Sequence, residues 1–130
     1  MNAIRSILSW LGNIFCAKPE EKPPVNRCQT PQWRKLRQEV WRNYFNEAET
    51  GKCYACGIVV QRRNRGWHCS HVKPHSKGGP DKLENLRVCC GKCNLSMGTE
   101  NLYAYILRNN LSGPGRTKAR DYCHRHNISY

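Results

Sequence analysis

The chain has 130 residues, of which 22 are Lys or Arg and 9 are Asp or Glu, for a net charge of +13 with histidine neutral. That length suits one domain and is short for two, and the positive excess suits a polyanionic partner. No apolar run approaches the ~20 residues of a membrane-spanning helix, and the composition excludes collagen, coiled coils, repeat arrays and acidic disordered chains.

Hydrophobic residues make up only 38% of the chain, so a fold of this size is helped by something besides apolar burial. Nine cysteines can supply it, as disulfides or as metal ligands. An odd count fits a fully paired secreted framework badly, and two cysteine pairs have metal-ligand spacing. A reducing, cytoplasmic compartment is therefore the expectation.

In residues 1–26, Ile4, Ile7, Leu8, Leu11, Ile14 and Phe15 fall on one helical face, with Ser6, Ser9 and Asn13 opposite. Behind Arg5 this resembles a weak signal sequence, but no small-residue cleavage site follows Phe15-Cys16. Three readings stay open for residues 1–17: a helix packed on the domain, a docking helix for a partner protein, and a peripheral membrane anchor. A single basic residue among the first fifteen is poor attraction for anionic lipid, which disfavours the anchor. Lys18 to Asn26, with Pro19, Pro23 and Pro24, reads as an extended linker.

Thr30-Pro31 has the chemistry of a helix start, a capping hydroxyl followed by proline at the first helical position. Trp33, Leu36, Val40, Trp41, Tyr44 and Ala48 then recur at helical spacing, and Gly51 is the expected stop, so the helix should run for about five turns. Arg34 and Arg37 fall at the edge of its apolar arc or inside it, where a charged side chain must snorkel, pair or reach a ligand. Lys52 to Gly57 reads as a knuckle-like turn and Ile58 to Val60 as a short strand, followed by a basic loop with Arg62, Arg63 and Arg65. Trp67 to Val72 is a second expected strand, Lys73 to Asn85 a long loop rich in Gly and Pro, and Leu86 to Cys89 a third strand. Helices are expected over Gly91–Met97 and Asn101–Asn110, and a basic tail from Ser112 onward.

Cys53 and Cys56 form one Cys-x-x-Cys pair and Cys90 and Cys93 another. Two such pairs suit a tetrahedral zinc site, each turn presenting two thiolates at roughly 2.3 Å from one ion. Such a site is closed, so its zinc would serve folding. Cys89 adjoins Cys90 but lacks the two-residue spacing to Cys93. Cys16, Cys28, Cys69 and Cys123 have no such partner and read as free thiols or small core residues, and Cys123-His124-Arg125-His126 lacks the second ligand pair a metal site needs.

Between the two pairs lie His71, Pro74 and Ser76-Lys77-Gly78-Gly79, followed by Asn85-Leu86-Arg87 and then by Asn94 directly after Cys93. A histidine ending one strand, an asparagine opening the next and another early in the following helix can share one pocket. Imidazole is a suitable base near neutral pH, and an amide oxygen is a hard ligand suited to magnesium or manganese. Base, hard cation and basic surroundings together suggest phosphodiester hydrolysis.

From Cys53 to Leu102 these motifs resemble the HNH (His-Me finger) endonuclease family in its zinc-stapled form, and Ser96-Met97-Gly98-Thr99 with Asn101-Leu102 looks especially like HNH proteins of phages and viruses. The resemblance implies an α+β fold, a small ββα-metal core with a Cys₄ zinc staple and flanking helices. Residues 27–111 would be the nuclease domain, preceded by the N-terminal helix and linker and followed by the basic tail of 112–130. It further implies a metal-dependent DNA endonuclease leaving 5′-phosphate and 3′-hydroxyl ends. His71 would be the general base, Asn85 the tie that holds the loop and aims His71, and Asn94 the ligand of the catalytic magnesium or manganese. Many family members carry Asp immediately before the base; here Ser70 stands there, a feeble second ligand. The alternative is a zinc-stapled nucleic-acid-binding module with weak or no nuclease activity.

Lys73, Lys77 and Arg87 flank the expected pocket as phosphate clamps, whereas His68 and His75 are ambiguous. Residues 27–66 carry nine basic and three acidic side chains, and residues 101–130 five and one, so both flanks are positive. Arg34, Arg37, Arg62, Arg63 and Arg65 are the candidate contacts to DNA, made through its phosphates. No base-reading motif is visible, so cleavage specificity is not legible, and neither is oligomeric state.

Overall fold

A computed structural model describes residues 26–130; the expected N-terminal amphipathic helix and nearly all of the linker lie outside the described residues. Helix α1 spans Pro31–Phe45. Thr30 caps it as the sequence leads one to expect, its hydroxyl accepting from Trp33 N at 3.2 Å. The expected run to Gly51 is too long. Asn46 ends the helix at a positive φ of 52° and ψ of −126°, outside the helical region, while its N–H still donates to Arg42 O. Gly51 instead sits in strand β1, Thr50–Lys52. A Cβ there would lie 2.5 Å from the Phe45 ring, so the missing side chain lets that ring close over the strand.

Strand β1 pairs antiparallel with β2, Val59–Gln61, across the cysteine knuckle. A second antiparallel hairpin joins β3, Trp67–His71, to β4, Leu86–Cys90, with Trp67 opposite Cys90 and His71 opposite Leu86. Helix α2, Gly91–Met97, leaves β4 without a linker, and β3, β4 and α2 form a small ββα unit. Helix α3 spans Leu102–Arg108 and is capped by Asn101, whose side chain accepts from Tyr103 N at 3.0 Å. The residues expected only as a basic tail contain helix α4, Arg116–Arg125. Its charged residues hid a short apolar stripe: Ala119 and Cys123 are buried, and Tyr103 meets Tyr122 at 4.4 Å between ring centroids. The fold is α+β, with four α-helices and two small hairpins among the described residues.

Two apolar clusters flank the ββα unit. One joins Val40 and Trp41 of α1 to Trp67, Cys69, Leu86 and Val88, with the Trp41 and Trp67 rings 5.0 Å apart. The other gathers the knuckle, α2, α3 and α4 around Cys53, Leu102 and Ile106, all fully buried. Full burial of large aliphatic side chains contributes about 1.5–3 kcal/mol each. The hairpin is thus packed on both faces. The loop between β3 and β4 is held closed where Gly79 N donates to Pro74 O at 2.9 Å. A Cβ on Gly79 would overlap the Lys73 carbonyl oxygen at 1.8 Å, so only glycine fits that crossing. No helix among the described residues is long and apolar enough to cross a membrane.

Candidate functional site

The Sγ atoms of Cys53, Cys56, Cys90 and Cys93 all lie within 4.8 Å of one another, and those of Cys56 and Cys90 are 3.9 Å apart. Zinc–sulfur bonds of about 2.3 Å in a tetrahedron put ligand sulfurs about 3.8 Å apart, so the four thiols fit one zinc ion. The first pair lies on the turn between β1 and β2, where Gly57 N donates to Cys53 O at 2.9 Å. The second pair spans the junction of β4 and α2, where Cys90 caps the helix by accepting from Cys93 N at 3.4 Å. Cys89 is fully buried and is not one of the four thiols that converge on one another. Of the remaining cysteines, Cys69 and Cys123 are buried in the core and Cys28 is exposed. Burial pushes the Cys69 thiol up to about 12, which makes it inert packing.

At the other end of β3, His71 and Asn94 line the same two adjoining cavities, of about 330 and about 1000 Å³. His71 is inclined to neither free rotation nor full exposure: its side chain is 12% exposed and stacks on Trp33, with ring centroids 6.1 Å apart and planes 14° from parallel. His71 Nε2 lies 2.7 Å from Asp81 Oδ1, and Arg27 Nη1 lies 3.4 Å from the other oxygen of that carboxylate. Ser70 Oγ donates to Asn94 Oδ1 at 2.7 Å and is almost fully buried, so the hydroxyl orients the amide. Asn85 is spent on the loop. Its Oδ1 accepts from Lys73 N at 2.9 Å, and its Nδ2 donates to Lys73 O and Pro80 O at 3.0 and 3.1 Å. Those three bonds satisfy the buried amide and tie both ends of the loop beside His71.

Residues 53–100 match the family model described as HNH endonuclease. That stretch is an HNH domain. The curated proteins and the solved structures yield no match to the chain.

The HNH domain meets a positive wall supplied mostly by residues before it. Arg34 and Arg37 of α1 line the larger cavity together with Arg27 and Arg65. Arg37 lies over the Trp67 ring, 3.6 Å from its centroid, and burial lowers its pKa. His68 lines the same cavity, and burial, with Arg37 nearby, lowers its pKa too. Arg62 and Arg63 face a neighbouring cavity and are paired with Glu47 and Glu49 at 2.8 and 3.4 Å.

The expected phosphate clamps lie elsewhere. Lys73 and Lys77 line a separate cavity against α3 and the C-terminal residues Tyr122 and His126. The Arg87 guanidinium is lodged 5.4 and 5.7 Å from the ring centroids of Tyr54 and Tyr44. Arg87 follows the hairpin pleat away from the His71 ring, because His71 pairs with Leu86 and Arg87 with Ser70. His75 lines the smaller cavity, edge-on to His71 at 5.8 Å.

Sequence reasoning missed Trp33, Arg27 and Asp81 around His71. Trp33 was visible only as part of a helical stripe, and which tip of that stripe meets a histidine depends on how α1 crosses the hairpin. Asp81 carried a faint signal, being one of two acids in an otherwise basic loop.

Proposed function

We propose that this chain is a metal-dependent endonuclease that hydrolyses phosphodiester bonds of DNA. The observation that carries the reading is the shared wall: the His71 ring and the Asn94 amide open onto the same cavities, and the larger of these is lined by arginines. In this reading His71 takes the proton of the attacking water. General-base help of this kind is worth roughly 10²–10⁴-fold in rate. Asn94 Oδ1 keeps a lone pair beyond the one engaged by Ser70, and with the Ser70 oxygen beside it offers hard donors suited to magnesium or manganese. A divalent ion held there would stabilise charge on the leaving oxygen, consistent with 5′-phosphate and 3′-hydroxyl products. The Cys₄ cluster, with zinc bound, keeps β4 and α2 in register and so fixes Asn94, the residue after Cys93. Arg27, Arg34, Arg37 and Arg65 track the phosphate backbone, which gives affinity without sequence preference.

Two deciding tests use supercoiled plasmid. Nicking with magnesium or manganese that is abolished by EDTA supports the enzyme. Tight, salt-sensitive binding with no nicking under either metal supports instead a nucleic-acid-binding module, a reading favoured by one observation, the absence of a carboxylate at Ser70.

A further inference from the structure

The loop between β3 and β4 does more than connect strands. It delivers a carboxylate to the histidine ring, and the delivery is anchored. Asn85 Nδ2 holds Pro80 O at 3.1 Å, one residue before Asp81, while Asn85 Oδ1 holds Lys73 N at 2.9 Å, two residues after His71. One buried amide therefore fixes the spacing between the ring and the acid from both sides. Arg27 approaches the outer carboxylate oxygen at 3.4 Å and restrains its rotation. Trp33 against the face of the ring and His75 at its edge limit the tilt of His71.

We propose that Asp81 is the positioning residue of His71: its carboxylate accepts from Nε2–H and thereby leaves Nδ1 as the basic nitrogen of the ring. The chemistry is compulsory once the contact exists. An ionised carboxylate only accepts hydrogen bonds, and a neutral imidazole carries its proton on one nitrogen, so the nitrogen 2.7 Å from Asp81 Oδ1 must be the donor. Asp81 does not touch substrate. It acts through His71, as an orienting acid does for a catalytic histidine elsewhere. The catalytic consequence rests on the nuclease reading; the tautomer does not.

The test uses the full zinc-containing chain. Long-range proton–nitrogen NMR of the imidazoles, at a pH where the rings are neutral, should show the His71 ring in wild type as the Nε2–H tautomer. In D81N the new amide can accept or donate, so the ring should become a mixture of tautomers, and D81E should restore the Nε2–H form. On plasmid with manganese, D81N should lower kcat by about 10- to 1000-fold, while KM should not rise, because losing the carboxylate frees Arg27 for the phosphate backbone instead of removing a DNA contact. An Nδ1–H ring in wild type overturns the proposal, as does a D81N variant that nicks at the wild-type kcat while H71A does not nick. If no variant nicks, the nuclease reading fails by itself and the nitrogen shifts still decide: a wild-type Nε2–H ring that mixes in D81N upholds the contact, and a ring unaffected by D81N refutes it.

Discussion

The two ends of the β3–β4 hairpin are built on opposite plans. At the Cys90 end, four soft thiols converge from two short turns, each pair separated by two residues. At the His71 end, side chains from four places in the chain gather: Trp33 and Asp81 against the ring, Arg27 on the Asp81 carboxylate and, across the cavity, Asn94. The first site is closed and its donors match one ion. The second is open, its donors are hard and few, and four arginines line the larger of its two cavities. The contrast separates the work of holding the molecule together from the work of acting on a ligand. A ligating site that stabilises a small fold must be saturated by the chain itself, whereas a reacting site must leave positions for water and substrate.

Breaking the staple should have the largest effect. Cys93→Ser removes one of four ligands, and because structural zinc binding contributes about 10 kcal/mol or more of folding free energy, the protein should lose both zinc and cooperative melting. Metal analysis and a thermal melt check this, and a variant that melts like wild type without zinc would show that the apolar clusters suffice. His71→Ala should do the reverse, retaining zinc and fold while nicking falls by about 10²–10⁴-fold. Single-turnover cleavage alongside DNA binding measures both halves; equal loss of binding would mean that His71 belongs to the groove and not to the chemistry.

Smaller changes sharpen the comparison. Arg34→Ala with Arg65→Ala removes two exposed groove cations, so the slope of log affinity against log salt should shrink by about two for duplex DNA. Arg62→Ala with Arg63→Ala should change that slope less, since Glu47 and Glu49 already partner these cations. Fluorescence anisotropy across a salt series distinguishes the pairs, and equal slopes would assign the groove no special role. Thr30→Ala removes the cap beneath Trp33 and should cost about 1 kcal/mol. Its melting temperature should fall by a few degrees with zinc content unchanged, which would place the coupling between α1 and the site rather than the staple.

How much could be read in advance follows from distance along the chain. The cap at Thr30, helix α2 at Gly91–Met97 and the pairing of the four zinc-spaced cysteines were legible because each is written within a few neighbouring residues. The length of α1 was not, since Ala48 continues the apolar spacing while a positive φ at Asn46 and the Phe45 ring over Gly51 end the helix. Strand β1 was hidden too: Thr50-Gly51-Lys52 has little strand character of its own and is held by its partner Val59–Gln61. Helix α4 was masked by its charges, because only a narrow stripe, Ala119, Tyr122 and Cys123, seats it on α3.

The sequence by itself determined the charge that calls for a polyanion, the zinc-type cysteine spacing and the residues His71, Asn85 and Asn94 as a candidate set. Tertiary structure alone decided what surrounds them. Ser70 turned out to donate to Asn94, Arg87 to lie between tyrosines, and Asp81 to meet His71, while α1 brought Trp33 and its arginines to the same wall. The physical reason is that spacing of two to four residues sets local geometry directly through the backbone, whereas contacts between distant segments depend on how a helix crosses a hairpin and how a loop is tied. Those are fixed by packing and buried hydrogen bonds, which no local pattern encodes.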